Sequence, residues 1–143
     1  MPHFQYQRQV PFPAGPVFDL VADVERYPRF LPGWREARIV ERGDNSLTVE
    51  QTLGGWGFRW RFRSRAALDR PRQICIQTTE YPFEHLLEIW RFRPMDHGGT
   101  LVTLEADYRL ADLPLRGLVS AVFDRGFRQT LDGFDARAHA ILD

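Results

Sequence analysis

Residues 57–66, GFRWRFRSRA, carry arginine at every second position from Arg59 to Arg65, with Trp60, Phe62 and Ser64 between them. A period of two is that of a β-strand, whose successive side chains point to opposite faces. Extended to Leu68, the segment sends Phe58, Trp60, Phe62, Ser64, Ala66 and Leu68 to one face and Arg59, Arg61, Arg63 and Arg65 to the other. Such a strand belongs to a sheet with one apolar and one solvated face, and the apolar face must be covered by another element.

Working outward from this strand, similar runs are expected at 4–10, 34–41, 46–53, 73–79, 84–92 and 99–109. They are separated by Gly43-Asp44-Asn45, Gly54-Gly55, Asp69-Arg70-Pro71, Tyr81-Pro82 and His97-Gly98-Gly99, all of them turn or breaker chemistry. Connections this short predict antiparallel neighbours. Two departures from period two interrupt the series. Val17, Phe18, Val21 and Ala22 have helical spacing, with Pro13 and Pro16 at the opening turn and Pro28 and Pro32 closing the helical region. From Leu115 to Ile141 a stripe of Leu118, Val119, Val122, Phe123, Phe127, Leu131, Phe134 and Ala138 predicts one long helix, locally weakened by Gly117, Gly126 and Gly133. Only that helix is long enough to cover the sheet. The expected fold class is α+β: a curved antiparallel sheet of about seven strands wrapped around a long C-terminal helix, with two short helices after the first strand.

A length of 143 residues suits one domain, expected to span 1–143. Acidic and basic residues balance at 19 each, so no global field draws the chain to nucleic acid, and no DNA partner is expected. All the basic side chains apart from histidine are arginine, a usage that fits a GC-rich bacterial genome. A lone Cys75 excludes an internal disulfide, and His3, His85, His97 and His139 lack ligand-like spacing, so no metal and no required cofactor is expected. With no apolar run of bilayer length and no signal-peptide pattern, the expected address is the cytoplasm, or the periphery of the inner membrane for a carrier of lipids.

Two segments carry a resemblance. VFDLVADVERYPRFLPGW, residues 17–34, resembles the opening signature of the coenzyme Q-binding protein family. YPFEHLLEIWRFRP, residues 81–94, is similar to that family's Pro-Phe, Leu, Trp-x-Phe-x-Pro strand. The family includes ribosome association toxins of the RatA type and belongs to the START-like (polyketide cyclase, SRPBCC) superfamily. The resemblance implies a helix-grip fold with a hydrophobic tunnel between sheet and C-terminal helix. It also implies binding of an isoprenoid quinone such as ubiquinone, or another lipid, without chemical conversion. Where the family commonly has glycine two residues before the Trp of Trp-x-Phe, this chain has Glu88.

Parity along the strands then names candidate site residues. The ligand tunnel is expected to be lined by Phe58, Trp60, Phe62, Leu86, Glu88, Trp90, Phe92, Leu104 and Tyr108 from the sheet and by Val122, Phe123 and Phe127 from the helix. Its mouth is expected at Tyr27, Phe30, Leu31 and Pro32, facing the start of that helix. Aromatic stripes serve packing first, and it is the resemblance that favours a lined tunnel here. Glu88 shares parity with Leu86 and Trp90; either a strand end leaves it near water, or it is an interior polar anchor for a head group or for Tyr108.

On the other face, Arg59, Arg61, Arg63 and Arg65 have few acids on neighbouring strands, whereas Glu105 and Asp107 are placed to face Arg91 and Arg93. The row is either solvated surface or a docking face for phosphates, on a membrane surface or on the large ribosomal subunit. Subunit-association inhibition of the RatA type is thus the alternative to ligand carriage. No nucleophile-elbow, phosphate-loop or paired-histidine pattern is present. A third reading, polyketide aromatase/cyclase, rests on Glu88 and Tyr108 as its acid–base pair.

Overall fold

The alternation becomes seven strands: β1 (His3–Val10), β2 (Trp34–Arg42), β3 (Ser46–Gly55), β4 (Phe58–Asp69), β5 (Gln73–Thr78), β6 (Phe83–Pro94) and β7 (Thr100–Leu110). The computed structural model describes residues 3–55 and 57–142; Met1, Pro2, Trp56 and Asp143 lie outside the described residues. The strands form one antiparallel sheet in the order β1-β7-β6-β5-β4-β3-β2. Strands β2 to β7 follow one another through short turns, and β1 returns to pair with β7, with Phe4 opposite Ala106 and Val10 opposite Thr100. Helix α1 (Ala14–Ala22) and a 3₁₀ helix (Val24–Arg29) connect β1 to β2. The 3₁₀ helix contains Pro28, so that proline lies within the helical region rather than closing it.

The curved sheet grips helix α2 (Arg116–Leu142), which buries Val119, Phe123, Leu131, Phe134 and Ala138. At 1.5 Å per residue this helix runs about 40 Å, enough to cross the whole sheet. Leu115, Leu118 and Ile141 were expected on the buried stripe but are exposed, at 66%, 51% and 48%. The buried line of α2 runs from Val119 to Ala138, and these three fall beside that line or beyond its ends. Of the three helix glycines, Gly133 has a packing reason: a Cβ there would lie 2.6 Å from the Leu31 Cδ2, so its absence lets α2 approach the segment that leads into β2. An added Cβ at Gly117 or Gly126 meets nothing within 4 Å.

The core is divided. One cluster gathers Phe18, Val21, Tyr27, Trp90, Phe92, Leu104 and Phe134; the other gathers Phe62, Phe83, Leu86, Tyr108, Val119 and Phe123. Edge-to-face ring pairs knit each cluster, Trp90 with Phe134 at 5.2 Å in the first and Phe62 with Phe83 at 5.4 Å in the second. The space between the clusters is where the candidate site lies.

Candidate functional site

A cavity of about 490 Å³ opens between the inward faces of β3 to β6, helix α2 and the segment from the 3₁₀ helix into β2. Period two along β4 brings Trp60, Phe62, Ser64 and Ala66 into its wall, and the same period along β6 brings Leu86, Glu88 and Trp90. Strand β3 adds Val49, Gln51 and Leu53, and α2 adds Val122, Phe123, Arg125, Gly126, Phe127, Gln129, Thr130 and Phe134. Gly54, Gly55, Ile76 and Phe83 also border it, and the remaining wall is Val24, Tyr27, Leu31, Pro32, Gly33 and Trp34. Gly33, with φ at 87°, makes the turn that its carbonyl then fixes by accepting the Gly54 N–H at 2.8 Å, joining this wall to the end of β3.

Few polar groups interrupt this apolar lining. Gln51 and Ser64 are buried and bonded to each other across β3 and β4, the Gln51 Nε2 donating to the Ser64 Oγ at 3.1 Å. Glu88 stands opposite Ile76 on β5 and Ala106 on β7. Its carboxyl makes no hydrogen bond or ion pair among the described residues, and the residue is half-buried in the cavity wall. Burial pushes its carboxyl up to about 7. Tyr27 closes the wall beside it: its hydroxyl donates to the Val21 carbonyl, and burial first, then the charges of Glu88 and Asp23, hold the phenol well above its usual range. Glu88 therefore stands in mid-strand on the cavity wall and not at a strand end.

Of the expected tunnel residues, Trp60, Phe62, Leu86, Glu88, Trp90, Val122, Phe123 and Phe127 line the cavity; Phe58, Phe92, Leu104 and Tyr108 do not. Phe58 stacks on Trp60 at 5.4 Å, and Phe92 is taken up by Phe18 of α1 at 5.5 Å. Leu104 is wholly buried in the first cluster. Tyr108 is buried among Phe4, Phe83, Phe123 and Phe127, and its hydroxyl is engaged by Asp124 and Ser120 of α2, so it does not pair with Glu88. At the expected mouth, Tyr27, Leu31 and Pro32 line the cavity, whereas Phe30 packs on Phe134 and under the Arg137 guanidinium. The helical part of the wall begins at Val122, so the middle of α2 and not its start faces that segment.

Residues 10–135 match the family described as polyketide cyclase/dehydrase and lipid transport. The chain belongs to this family. Among curated relatives it is 28% identical over 136 residues to the ribosome association toxin RatA of Pseudomonas aeruginosa, covering 95% of this chain and 94% of that one. Among solved structures, the Zhui aromatase/cyclase from Streptomyces sp. R1128 superposes with a TM-score of 0.88 at 22% identity, covering 99% of this chain and 96% of that one. A START superfamily protein from Mycobacterium smegmatis gives 0.83 at 15%, covering 97% and 98%. The fold is START-like, a helix grip.

Within this lipid-transport and cyclase family frame, the outer face of the sheet is less bare than its sequence suggests. Arg61 lies 3.6 Å from Glu36 and Arg63 3.3 Å from Glu50, because register sets β2 and β3 beside them. Arg59 and Arg65 have no ion pair among the described residues. Further across, Arg91 meets Glu105 at 3.0 Å, and Asp107 lies 3.9 Å from His85 rather than beside Arg93. The lining residue with the clearest unused signal is Gln51, a polar side chain on the same parity as Leu47, Val49 and Leu53.

Proposed function

We propose that this chain binds one uncharged, largely apolar molecule with a polar head, an isoprenoid quinone such as ubiquinone or another lipid, and carries it without converting it. The observation that supports this reading is the cavity of about 490 Å³, which divides the core and has a wall of rings and aliphatic side chains. Its volume falls in the range of about 300–1,000 Å³ usual for small-molecule sites. The family's own description includes lipid transport. The head group lies against Glu88, and the tail runs along Trp60, Phe62 and Trp90 toward the segment of Leu31 to Trp34. The acid–base pair of Glu88 with Tyr108 does not form, since the Tyr108 hydroxyl is committed to Asp124 and Ser120. The test is organic extraction of protein purified from its native host, followed by mass spectrometry. One quinone or lipid per chain is expected, and a protein that emerges empty and takes up no added short-tailed ubiquinone overturns the reading.

A second reading, association with the large ribosomal subunit, is favoured by the RatA relative, whose length the chain matches almost completely. The exposed Arg59 and Arg65 supply cations for RNA phosphates. Co-sedimentation with purified large subunits tests it. The two readings use opposite faces of β4, so a single molecule can satisfy both.

A further inference from the structure

Glu88 does nothing for the fold that an uncharged side chain would not do at lower cost. It lies between Leu86 and Trp90 on β6, lines the cavity, and its carboxyl has no hydrogen bond or ion pair among the described residues. The other charged or titratable groups in the same lining are Tyr27 from the 3₁₀ helix and Arg125 from α2; β3, β4 and β5 contribute none. Tyr27 spends its proton on the Val21 carbonyl, and Arg125 is exposed, where water and salt screen it. An ionised carboxylate on this wall is therefore left without a counter-charge once a ligand displaces the cavity water. In its neutral form the same group becomes an O–H donor.

We propose that Glu88 is a proton-dependent head-group reader: the cavity retains an uncharged ligand whose carbonyl or ether oxygen accepts a hydrogen bond from the protonated carboxyl, and releases it when the carboxyl ionises. This rests on the carrier reading given above. The ligand class follows from the donor. An oxygen acceptor complements a neutral acid, an anionic head is repelled once Glu88 ionises, and a cationic amine pairs with the ionised form and reverses the pH dependence. Because the carboxyl titrates at about 7 in the empty cavity, retention responds to small pH changes around neutrality.

The experiment titrates three probes, ubiquinone-1, the hydrocarbon anthracene and the cationic dodecylamine, into the wild type, Glu88→Gln and Glu88→Leu between pH 5.5 and 9, following quenching of tryptophan fluorescence. Wild-type affinity for ubiquinone-1 is expected to be level at acid pH and to fall about tenfold per unit above the titration at about 7, reaching roughly 100-fold weaker at pH 9. Glu88→Gln keeps a donor and loses the pH dependence. At pH 6, Glu88→Leu binds ubiquinone-1 at least tenfold more weakly while holding anthracene as well as the wild type or better, which separates hydrogen bonding from the simple desolvation of a carboxylate. A pH-independent wild type, a Glu88→Leu variant that holds ubiquinone-1 at full strength, or tighter binding of dodecylamine than of ubiquinone-1 as pH rises overturns the proposal. If anthracene enters and ubiquinone-1 is indifferent to residue 88, the reader fails and the carrier stands. If neither ubiquinone-1 nor anthracene enters any variant, the carrier reading fails and the reader with it.

Discussion

The Tyr108 hydroxyl donates a hydrogen bond to the Asp124 carboxylate and so ties β7 to α2 beside the second core cluster. The same oxygen lies 3.1 Å from the Ser120 Oγ, and burial, with Asp124 beside it, pushes the phenol well above its usual range. Tyr108→Phe keeps the ring among its four aromatic neighbours and removes only the oxygen. It is expected to lower stability by about 1–2 kcal/mol, the size of a part-buried bond to a charged acceptor, and to leave affinity for ubiquinone-1 within twofold. Urea denaturation and fluorescence titration read the two quantities; a large loss of affinity would return Tyr108 to the ligand wall.

Glu88 links pH to stability as well as to binding. Its carboxyl, at about 7 when folded against an ordinary value of 4.5, holds a proton in the native state that the unfolded chain has lost. Stability from this group is thus complete below about pH 4.5, falls between there and about 7, and is level above. The drop is about 3 kcal/mol at most, and less to the extent that water in the cavity solvates the anion. Glu88→Gln is expected to remove this decline, so that the variant is more stable than the wild type at pH 8 by up to that amount and similar to it at pH 4.5. Equal denaturation midpoints at pH 8 would mean that the carboxyl is well solvated.

These effects mark where the sequence was legible. Parity along β4 and β6 told correctly which side chains share the inner face, because a strand's period is fixed by geometry. It did not tell how deep each one sits. Phe92 and Leu104 share the inward face but are covered by α1 and the first cluster, while Trp60 and Trp90 border the cavity. What covers a face depends on elements remote in sequence, such as α1 meeting β6. The same holds outside: Glu36 and Glu50 reach Arg61 and Arg63 only through the register of β2 on β3 and of β3 on β4. Gln51 could have been read as a polar group on an apolar face, since parity alone places it there.

The cavity itself predicts opposite responses to one substitution on two strands. Ala66 and Ala106 are both buried on the inner face, but Ala66 borders the cavity and Ala106 does not. Ala66→Phe extends a ring into free space, so it is expected to leave stability unchanged or slightly raised and to weaken ubiquinone-1 binding at least tenfold. Ala106→Phe has no such space, and overpacking costs about 1–3 kcal/mol or more. Thermal denaturation of both variants decides it: equal destabilisation would mean that the space beside Ala66 is filled.

The outer face separates by partner. Charge reversal of Arg61 and Arg63 sets like charges against Glu36 and Glu50, which are now 3.6 and 3.3 Å from them, at a cost of about 1 kcal/mol or less per exposed pair. Reversal of Arg59 and Arg65 breaks no ion pair among the described residues and is expected to leave both the denaturation midpoint and ubiquinone-1 binding unchanged. That double variant, Arg59→Glu with Arg65→Glu, is the cleaner probe of docking. If the wild type co-sediments with large ribosomal subunits, the variant is expected to lose that association, and the wild-type complex to weaken steeply between 50 and about 200 mM salt, as phosphate contacts do. Association that survives both reversal and salt would place the contact away from β4.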